Sequence, residues 1–405
     1  MSNRLQRFRE YLRRFDAAGD PSRALDKGFV VEHPAGSISK TLEMRLGLRP
    51  HSSHLIVGGV GSGKTTQLLL AEKHLNALED VKARVIDVSA HQDIGKLEPG
   101  VLLVLGGLAL GKMIEEDARL KELWGPEQKE ALNELEMHAR GFWIDADDGG
   151  AYTGGLNYIQ GIVTAPPRAL DHLPHKHRDA FEAIESIQAF LAAQGHHAVL
   201  LFDGLDRLGD VKLFEKVISA EIPAFQSLGI GVAVVGPLRA LYGLDRPIAE
   251  RFDYFYHQSP IDIPRDEQGR AFLQKILRAR LPAEVLPDAT CLALIEWSGG
   301  VLRDLIALAQ LACEEAYLHG SEPIAVSDVA RAADAFGRKH LLGLGTDEVE
   351  VLQRVRKKGT FVQSSEKDLA LLVTRRVLEY NTDGRVGYMV HPTLAPLLEA
   401  IEKPE

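Results

Sequence analysis

The chain has 405 residues, enough for two or three domains, and its 45% hydrophobic content is ordinary for a globular protein. A net charge of −10 excludes attraction of nucleic acid by the whole surface and leaves only a local basic patch for that role. Cys291 and Cys313 lie in apolar helical patterns, which indicates reduced core thiols and predicts a cytoplasmic location. The N-terminus is charged, unlike a signal peptide, and the longest apolar run, Val101 to Leu110, is too short to span a bilayer.

Residues 4–15 predict a basic amphipathic helix, with Leu5, Phe8, Leu12 and Phe15 on one stripe. Two interpretations of the stripe stay open. It packs on the core of the chain, or it docks a partner or a neighbouring subunit.

The stretch from Gly58 to Thr65 matches G-x-x-x-x-G-K-[ST], the phosphate-binding loop of nucleoside triphosphatases. The apolar run 54–57 before it predicts a strand, and the run 66–73 after it predicts a helix. Glycines let backbone N–H groups converge on phosphate oxygens, and the helix N-terminus adds partial positive charge. Lys64 is predicted to reach the β- and γ-phosphates and Thr65 to ligate Mg²⁺. The predicted nucleotide-binding residues here are Gly58, Gly59, Val60, Gly61, Ser62, Gly63, Lys64, Thr65 and Thr66.

Further short apolar runs, mostly separated by helical patterns, predict a parallel sheet covered on both faces. These strands are expected at 83–88, 197–202, 230–235 and 253–256. The fold class is therefore α/β, a three-layer nucleoside triphosphatase domain. A long insertion at about 89–196 holds helical patterns at 101–116 and 126–140 and is expected to lie outside the basic fold. Its acidic cluster Asp145, Asp147 and Asp148 lacks the spacing of an EF-hand, which favours a solvated loop over a Ca²⁺ site.

The run Val199 to Asp203 has four apolar residues that end in an acid, the pattern of a Walker B strand. Asp203 is predicted to hold Mg²⁺ at the carboxyl edge of the sheet. Gly204 occupies the position where the hydrolytic base is expected, so Asp206 is the nearest candidate for that role. A helix N-cap or an ion pair with Arg207 is the alternative for Asp206.

Three arginines are candidates for contact with the phosphates. Arg251 precedes the last strand of the sheet, where a guanidinium could act on a neighbouring subunit's γ-phosphate, and an ion pair with Glu250 or Asp253 is its alternative. Arg303 follows Gly299-Gly300 in the first turn of a helix and is a second-sensor candidate, with a pair to Asp304 as the alternative. Arg239 is a weaker first-sensor candidate.

The remaining pattern is helical from 266 to about 340. It then gives helices at about 348–356 and at 366–376, a hairpin centred on Asp383-Gly384 and a closing helix. This order predicts a helical lid followed by a winged helix. The expected domains are an N-terminal basic helix at 1–27, the ATPase domain at 28–262, the helical lid domain at 263–342 and the winged-helix domain at 343–405.

With these pieces, the chain resembles the AAA+/STAND group of P-loop ATPases, in the additional-strand class. Residues 202–207 are similar to the STAND form of Walker B, and Ser298-Gly299-Gly300 with Arg303 is similar to the lid of origin-recognition initiators. The resemblance implies ATP or ADP with Mg²⁺ as ligands. It also implies that His391, at the end of the winged helix, touches the ADP β-phosphate, although a plain structural role for His391 stays open.

Two functions are favoured by these residues, and a purely structural nucleotide-binding scaffold is a third, less favoured option. The first is an ATP-binding and hydrolysing switch whose nucleotide state controls oligomerisation or a protein partner, in signalling or antiviral defence by family analogy. Because no recognisable effector or repeat domain flanks the ATPase core, a homo-oligomer or a separately encoded partner is expected. The alternative is a DNA-binding initiator or loader that uses the winged helix. Its basic residues are Arg354, Arg356, Lys357, Lys358, Arg375 and Arg376.

Overall fold

The computed structural model describes residues 3–16, 19–32, 37–91, 93–140, 142–145, 150–153, 174–242, 248–382 and 384–402. The strands, in chain order, are β1 Ser53–Gly58, β2 Val81–Asp87, β3 Phe142–Asp145, β4 Gly150–Thr153, β5 His197–Asp203, β6 Gly231–Val235, β7 Tyr254–Gln258, β8 Val377–Thr382 and β9 Arg385–Val390. The helices are α1 Asn3–Arg14, α2 Pro21–Asp26, α3 Ile38–Leu48, α4 Lys64–Leu75, α5 Val88–His91, α6 Val101–Glu116, α7 Ala118–Leu123, α8 Pro126–Arg140, α9 Pro174–Ala193, α10 Val211–Ser227, α11 Glu267–Arg278, α12 Asp288–Ser298, α13 Leu302–His319, α14 Val326–Leu341, α15 Thr346–Lys358, α16 Glu366–Val373 and α17 Ala395–Glu402.

The central sheet has five strands in the order β2-β5-β6-β1-β7. The pairs β2–β5, β5–β6 and β6–β1 are parallel. All six residues of β1 and all five of β6 are buried, as expected of central strands covered by helices on both faces. Strand β6 lies between the strand that leads into the phosphate-binding loop and the strand that ends in Asp203. The predicted α/β class and the additional strand between the two Walker elements are therefore confirmed.

The chain divides into two compact units. The first consists of Met1–Ser37, Gly58–Thr66 and His257–Glu405, and the second of Ile38–Val57 and Gln67–Tyr256. The phosphate-binding loop thus belongs to the first unit, whereas most of the sheet belongs to the second. The domain boundaries expected from the sequence stay predictions.

The core of the second unit includes helices of the predicted insertion at 89–196. Thirteen of the 16 residues of α6 are buried. All of these except the three glycines share one hydrophobic cluster with Leu200 and Phe202 of β5 and with residues of α8 and α9. A Cβ at Gly107 of α6 would lie 2.5 Å from Leu135 Cδ1, so this glycine permits close packing against α8. Helices α6, α8 and α9 of the 89–196 stretch therefore help to build this core, and the identification of the stretch as an insertion into the basic fold stays a prediction.

A buried carboxyl group, that of Glu221, lies at the N-terminus of α6. Gly100 precedes the helix and has no side chain to cap it, and Glu221 Oε2 of α10 accepts a hydrogen bond from Leu103 N at 2.7 Å. Glu221 is fully buried, and its other oxygen has no hydrogen-bond partner in the part of the chain that the structure describes. Burial raises the pKa of Glu221 to about 8, although bonds from Leu103, Gly100 and Leu102 N–H groups lower it.

In the first unit, α1 packs its apolar stripe on helices α11 to α14. Phe8 and Phe15 are buried in one cluster with residues of α11 to α14. Arg4 donates to the Ala316 and Tyr317 carbonyls near the end of α13, at 2.8 and 2.9 Å. The interpretation that the stripe packs on the core of the chain is confirmed.

The C-terminal residues 343–405, here named the winged-helix segment, contain α15, α16, the antiparallel hairpin β8–β9 and α17. The sequence predicted that the second helix reaches Arg376, but α16 ends at Val373 because Arg375 adopts a left-handed backbone, with φ of 60°. Asp383, at the hairpin turn, lies outside the described residues.

Cys291 and Cys313 are buried free thiols, as predicted. No helix within the described ranges has both the length and the apolar character needed to cross a membrane.

Candidate nucleotide-binding site

The phosphate-binding loop has the backbone that only glycines adopt easily. Gly61 and Gly63 lie in the left-handed region with φ of 86° and 97°. A Cβ at Gly61 would also lie 2.5 Å from Arg303 Cβ. The loop runs directly into α4, which begins at Lys64, so the helix N-terminus lies at the end of the loop, as an anion site requires.

Within the loop, the lysine side chain folds back on the backbone. Lys64 Nζ donates to the carbonyls of Gly58 and Gly59, both at 2.9 Å, and Lys64 is only 4% exposed. The buried Ser62 hydroxyl has no hydrogen-bond partner among the described residues. A buried hydroxyl without a partner is costly, and a phosphate oxygen at the loop would accept its hydrogen bond. The loop therefore fits a phosphate ligand.

Two donors from outside the loop bind the next two carbonyls. Arg375 of the winged-helix segment donates from Nη1 to Val60 O at 3.1 Å. The backbone N of Arg303, in the first turn of α13, donates to Gly61 O at 3.1 Å. All these contacts lie within the first unit. The four carbonyls from Gly58 to Gly61 thus each accept a hydrogen bond.

Asp304 holds the guanidinium of Arg375. Its Oδ2 and Oδ1 accept from Arg375 Nε and Nη2, both at 2.9 Å, and Asp304 is fully buried. His391 Nε2 lies 3.4 Å from Asp304 Oδ2. Burial alone would raise the pKa of Asp304, but the contact from His391 and the charge and hydrogen bonds of Arg375 outweigh it and lower that pKa.

The structure places His391 within this network. His391 is fully buried, and its Nδ1 lies 2.8 Å from Thr393 Oγ1. Its contact with the predicted phosphate site is indirect in the described residues, through Asp304 and Arg375. Arg303 and Asp304 are adjacent on α13, but the carboxylate of Asp304 pairs with Arg375, a residue that sequence reasoning did not select for this site. The roles of Arg303 and His391 at the phosphates stay predictions.

The second unit carries Asp203 and Asp206. Asp203 ends β5 and is 6% exposed, and Asp206 lies in a 3₁₀ turn, Leu205–Arg207. The residue at the N-cap of this turn is Gly204, so the N-cap alternative for Asp206 is wrong. Gly204 has a φ of 88°, and a Cβ there would lie 2.5 Å from Asp87 Oδ1. The left-handed backbone at position 204 favours glycine and would strain an acidic residue, which agrees with the absence of the expected base there.

Arg251 and Arg239 also belong to the second unit. Arg251 ends a 3₁₀ turn, and its Nη2 lies 3.0 Å from Glu215 Oε1 on α10. The sequence suggested an ion pair of Arg251 with Glu250 or Asp253. In the structure Arg251 contacts Glu215 instead, and Asp253 accepts hydrogen bonds from Ser53. Arg239 lies half-buried in a 3₁₀ turn after β6. The catalytic and sensor roles of both arginines stay predictions.

The acidic cluster of the 89–196 stretch is only partly described. Asp145 ends β3, and Asp147 and Asp148 lie outside the described residues. In the part of the chain that is described, no three His, Cys, Asp or Glu side chains are grouped to hold a metal ion.

No protein-family model matches the chain, and no curated protein sequence matches it. Among solved structures, the chain is similar to the Thermotoga maritima RuvB Holliday junction branch migration motor, with 14% identity, 89% of this chain and 94% of that chain covered and a TM-score of 0.38. It is also similar to Aeropyrum pernix ORC1 in complex with DNA, with 14% identity, coverages of 90% and 93% and a TM-score of 0.39. A third match is Drosophila ORC bound to DNA, with 13% identity, coverages of 96% and 93% and a TM-score of 0.39. At these scores, the strand order and the loop geometry of this chain, rather than the matches, carry the conclusions about its fold and site.

Proposed function

We propose that the chain is an ATP-binding and hydrolysing switch of the AAA+/STAND type, whose nucleotide state controls oligomerisation or engagement of a protein partner. The observation that carries this proposal is the hydrogen bond from Arg375 to the Val60 carbonyl. It joins the winged-helix segment to the loop that binds phosphate, and Arg303 N joins the lid to the next carbonyl. A ligand changes a conformational equilibrium only through contacts that differ between the states, and here both C-terminal elements contact the loop itself.

The loop amides, Lys64 and the Ser62 hydroxyl would bind the phosphates. Mg²⁺ would supply charge neutralisation at the β- and γ-phosphates. Thr65 and Asp203 would hold it, because a hydroxyl and a carboxylate are the hard oxygen ligands that Mg²⁺ takes. To reach a phosphate, Lys64 would give up its bonds to the Gly58 and Gly59 carbonyls.

Slow hydrolysis is part of the proposal. Gly204 stands where the base is expected and its left-handed backbone disfavours an acid, so the attacking water would depend on Asp206. Arg303 would stabilise the phosphates from the lid. Arg251 would act on a neighbouring subunit after release from Glu215, which a half-exposed ion pair permits at little cost. A slow enzyme holds each nucleotide state long enough to act as a switch.

Calorimetric titration of ADP and of a non-hydrolysable ATP analogue with Mg²⁺ tests the nucleotide site. Wild-type protein should bind both, and Lys64→Ala should weaken the analogue by at least tenfold, since it loses the amine at the phosphates. Lys73→Ala, at the other end of α4, is the matched control and should bind as wild type. Equal binding by Lys64→Ala and wild type would remove the proposed site.

Light scattering after size exclusion then tests the switch. We expect different masses, or capture of a protein partner, with ADP and with the ATP analogue. One mass in both states and equal partner binding would contradict the switch and leave a nucleotide-binding scaffold.

The DNA-binding alternative has less support from the basic residues of the winged-helix segment. Arg375 pairs with Asp304, Arg376 donates to the His340 and Leu342 carbonyls, and Arg356 pairs with Glu399. These three guanidinium groups are used within the chain and offer less charge to a DNA backbone. Binding of duplex DNA that weakens steeply with salt would restore this alternative.

A further inference from the structure

We propose that Arg375 is a positioning residue of the phosphate site: it holds the Val60–Gly61 peptide so that the Gly61 N–H faces the phosphates. The proposal rests on the nucleotide site proposed above. It adds a residue of the winged-helix segment to the phosphate-binding machinery, 310 positions along the chain from the loop.

The geometry of one peptide unit carries the argument. In a planar trans peptide, the C=O of one residue and the N–H of the next point in opposite directions. Arg375 Nη1 binds the Val60 oxygen at 3.1 Å, so the Gly61 N–H points away from the arginine. A peptide flanked by glycine rotates with little steric resistance, and Gly61 already has a φ of 86°. An external donor on the carbonyl is therefore what selects one orientation of this N–H.

The donor is itself fixed in place. The guanidinium of Arg375 forms two parallel hydrogen bonds with the buried carboxylate of Asp304, and His391 contacts that carboxylate from a second direction. Bidentate pairs of this kind add geometric precision as well as attraction. Arg375 is also the one non-glycine residue with positive φ in the described ranges, a backbone conformation that persists only where its surroundings impose it.

Orientation, rather than net charge, is the expected mode of action. Asp304 neutralises the guanidinium of Arg375, so the pair adds little charge to the loop. A lysine at position 375 would retain the positive charge, but its single ammonium group cannot reproduce the planar fork that binds Asp304 and Val60 together. The proposal therefore predicts that lysine does not restore the site.

The experiment compares the affinities of ADP and adenosine, by competition with a fluorescent ADP derivative in the presence of Mg²⁺. Arg375→Ala, Arg375→Lys and Asp304→Asn should each weaken ADP by about tenfold or more and leave adenosine unchanged. The double variant Arg375→Ala/Asp304→Asn should lose little more than either single variant, because both act through one hydrogen bond. Arg376→Ala is the matched control. It removes bonds to two backbone carbonyls away from the loop and should keep the wild-type affinity for ADP, even if its melting temperature falls.

Each outcome decides the proposal. If the wild type binds ADP and loses it in Lys64→Ala, but the variants at 375 and 304 bind ADP like wild type, the positioning role is wrong and the proposed function stands. If wild type binds no ADP, both are wrong. Equal loss of ADP and adenosine, or the same loss in Arg376→Ala, would show general destabilisation and overturn the positioning role. Should Arg375→Ala fail to fold, the Arg375→Lys and Asp304→Asn variants decide by the same criteria.

Discussion

Two buried carboxyl groups, one in each unit, have pKa values that are shifted in opposite directions. Asp304 and Glu221 are both almost wholly withdrawn from water. Asp304 pairs with Arg375 and contacts His391, and its pKa is lowered despite its burial. Among the described residues, Glu221 receives hydrogen bonds only from the backbone at the start of α6, and burial raises its pKa to about 8. Burial penalises the charged form of both groups, and a cationic partner decides whether that penalty is outweighed.

The two sites therefore respond to pH in opposite directions. The pKa of Asp304 is lower in the folded than in the unfolded chain, so its stabilisation is present above the unfolded value and is lost as pH falls through the folded value. The pKa of Glu221 is higher in the folded chain. Its contribution is fully present below the unfolded value of about 4.5 and is lost as pH rises through about 8.

Removal of the Asp304 carboxylate, which pairs with Arg375, should have the largest effect on stability. Asp304→Ala leaves the Arg375 guanidinium partly buried without a counter-charge, and we expect the free energy of unfolding to fall by about 4 kcal/mol. Urea denaturation at pH 7 measures it. Asp334→Ala is the matched control, since Asp334 forms an exposed pair with Arg338, and it should change stability by less than about 1 kcal/mol. Equal effects of the two variants would show that the buried network does not hold the lid and winged-helix segments.

Replacement of the acid at the unpaired site should have a smaller, pH-dependent effect. Wild-type protein should lose on the order of 3 kcal/mol between pH 5 and pH 9, because the folded chain must ionise a buried carboxyl. Glu221→Gln cannot ionise and should lack that decline. Unfolding free energies across this range, measured for both proteins, provide the test. Parallel pH profiles would mean that Glu221 is already ionised in the folded chain without penalty.

The smallest effect is expected at an acid that is paired but exposed. Arg251 and Glu215 are 38% and 31% exposed, so their ion pair should contribute less than about 1 kcal/mol. A thermodynamic cycle measures the coupling energy of this ion pair. It compares Arg251→Ala and Glu215→Ala with the double variant. A coupling energy above about 2 kcal/mol would contradict the expectation that this exposed ion pair contributes little to stability. It would also argue against release of Arg251 to a neighbouring subunit.

Sequence reasoning predicted the elements whose signals are local. The phosphate-binding loop, the buried strands and the start of α13 after Gly299-Gly300 follow from short patterns of glycine and apolar residues. The burial of Glu221 could also have been predicted from the sequence. Phe214, Val217, Ile218 and Ile222 form an apolar stripe on α10, and Glu221 falls on the same stripe. A charged residue on a buried face indicates a special hydrogen-bond partner.

The contacts of Arg303 and Asp304 could not be predicted from the sequence. Arg303 and Asp304 were considered as an ion pair, but adjacent residues on a helix point in directions about 100° apart. Asp304 instead pairs with a residue 71 positions later, which no local pattern can identify. The early end of α16 at Val373 has the same cause, since long-range contacts hold Arg375 in a conformation that its own propensity disfavours.

The buried helix α6 sets a limit on how far the protein could be shortened. Its side chains fill the cluster that also holds Leu200, Phe202, Val232 and Val234 of the sheet. A minimal nucleotide-binding fragment made by excising the stretch between β2 and β5 would leave those strands without their cover and would invite aggregation. Designers of a compact version should therefore keep α6 together with Glu221.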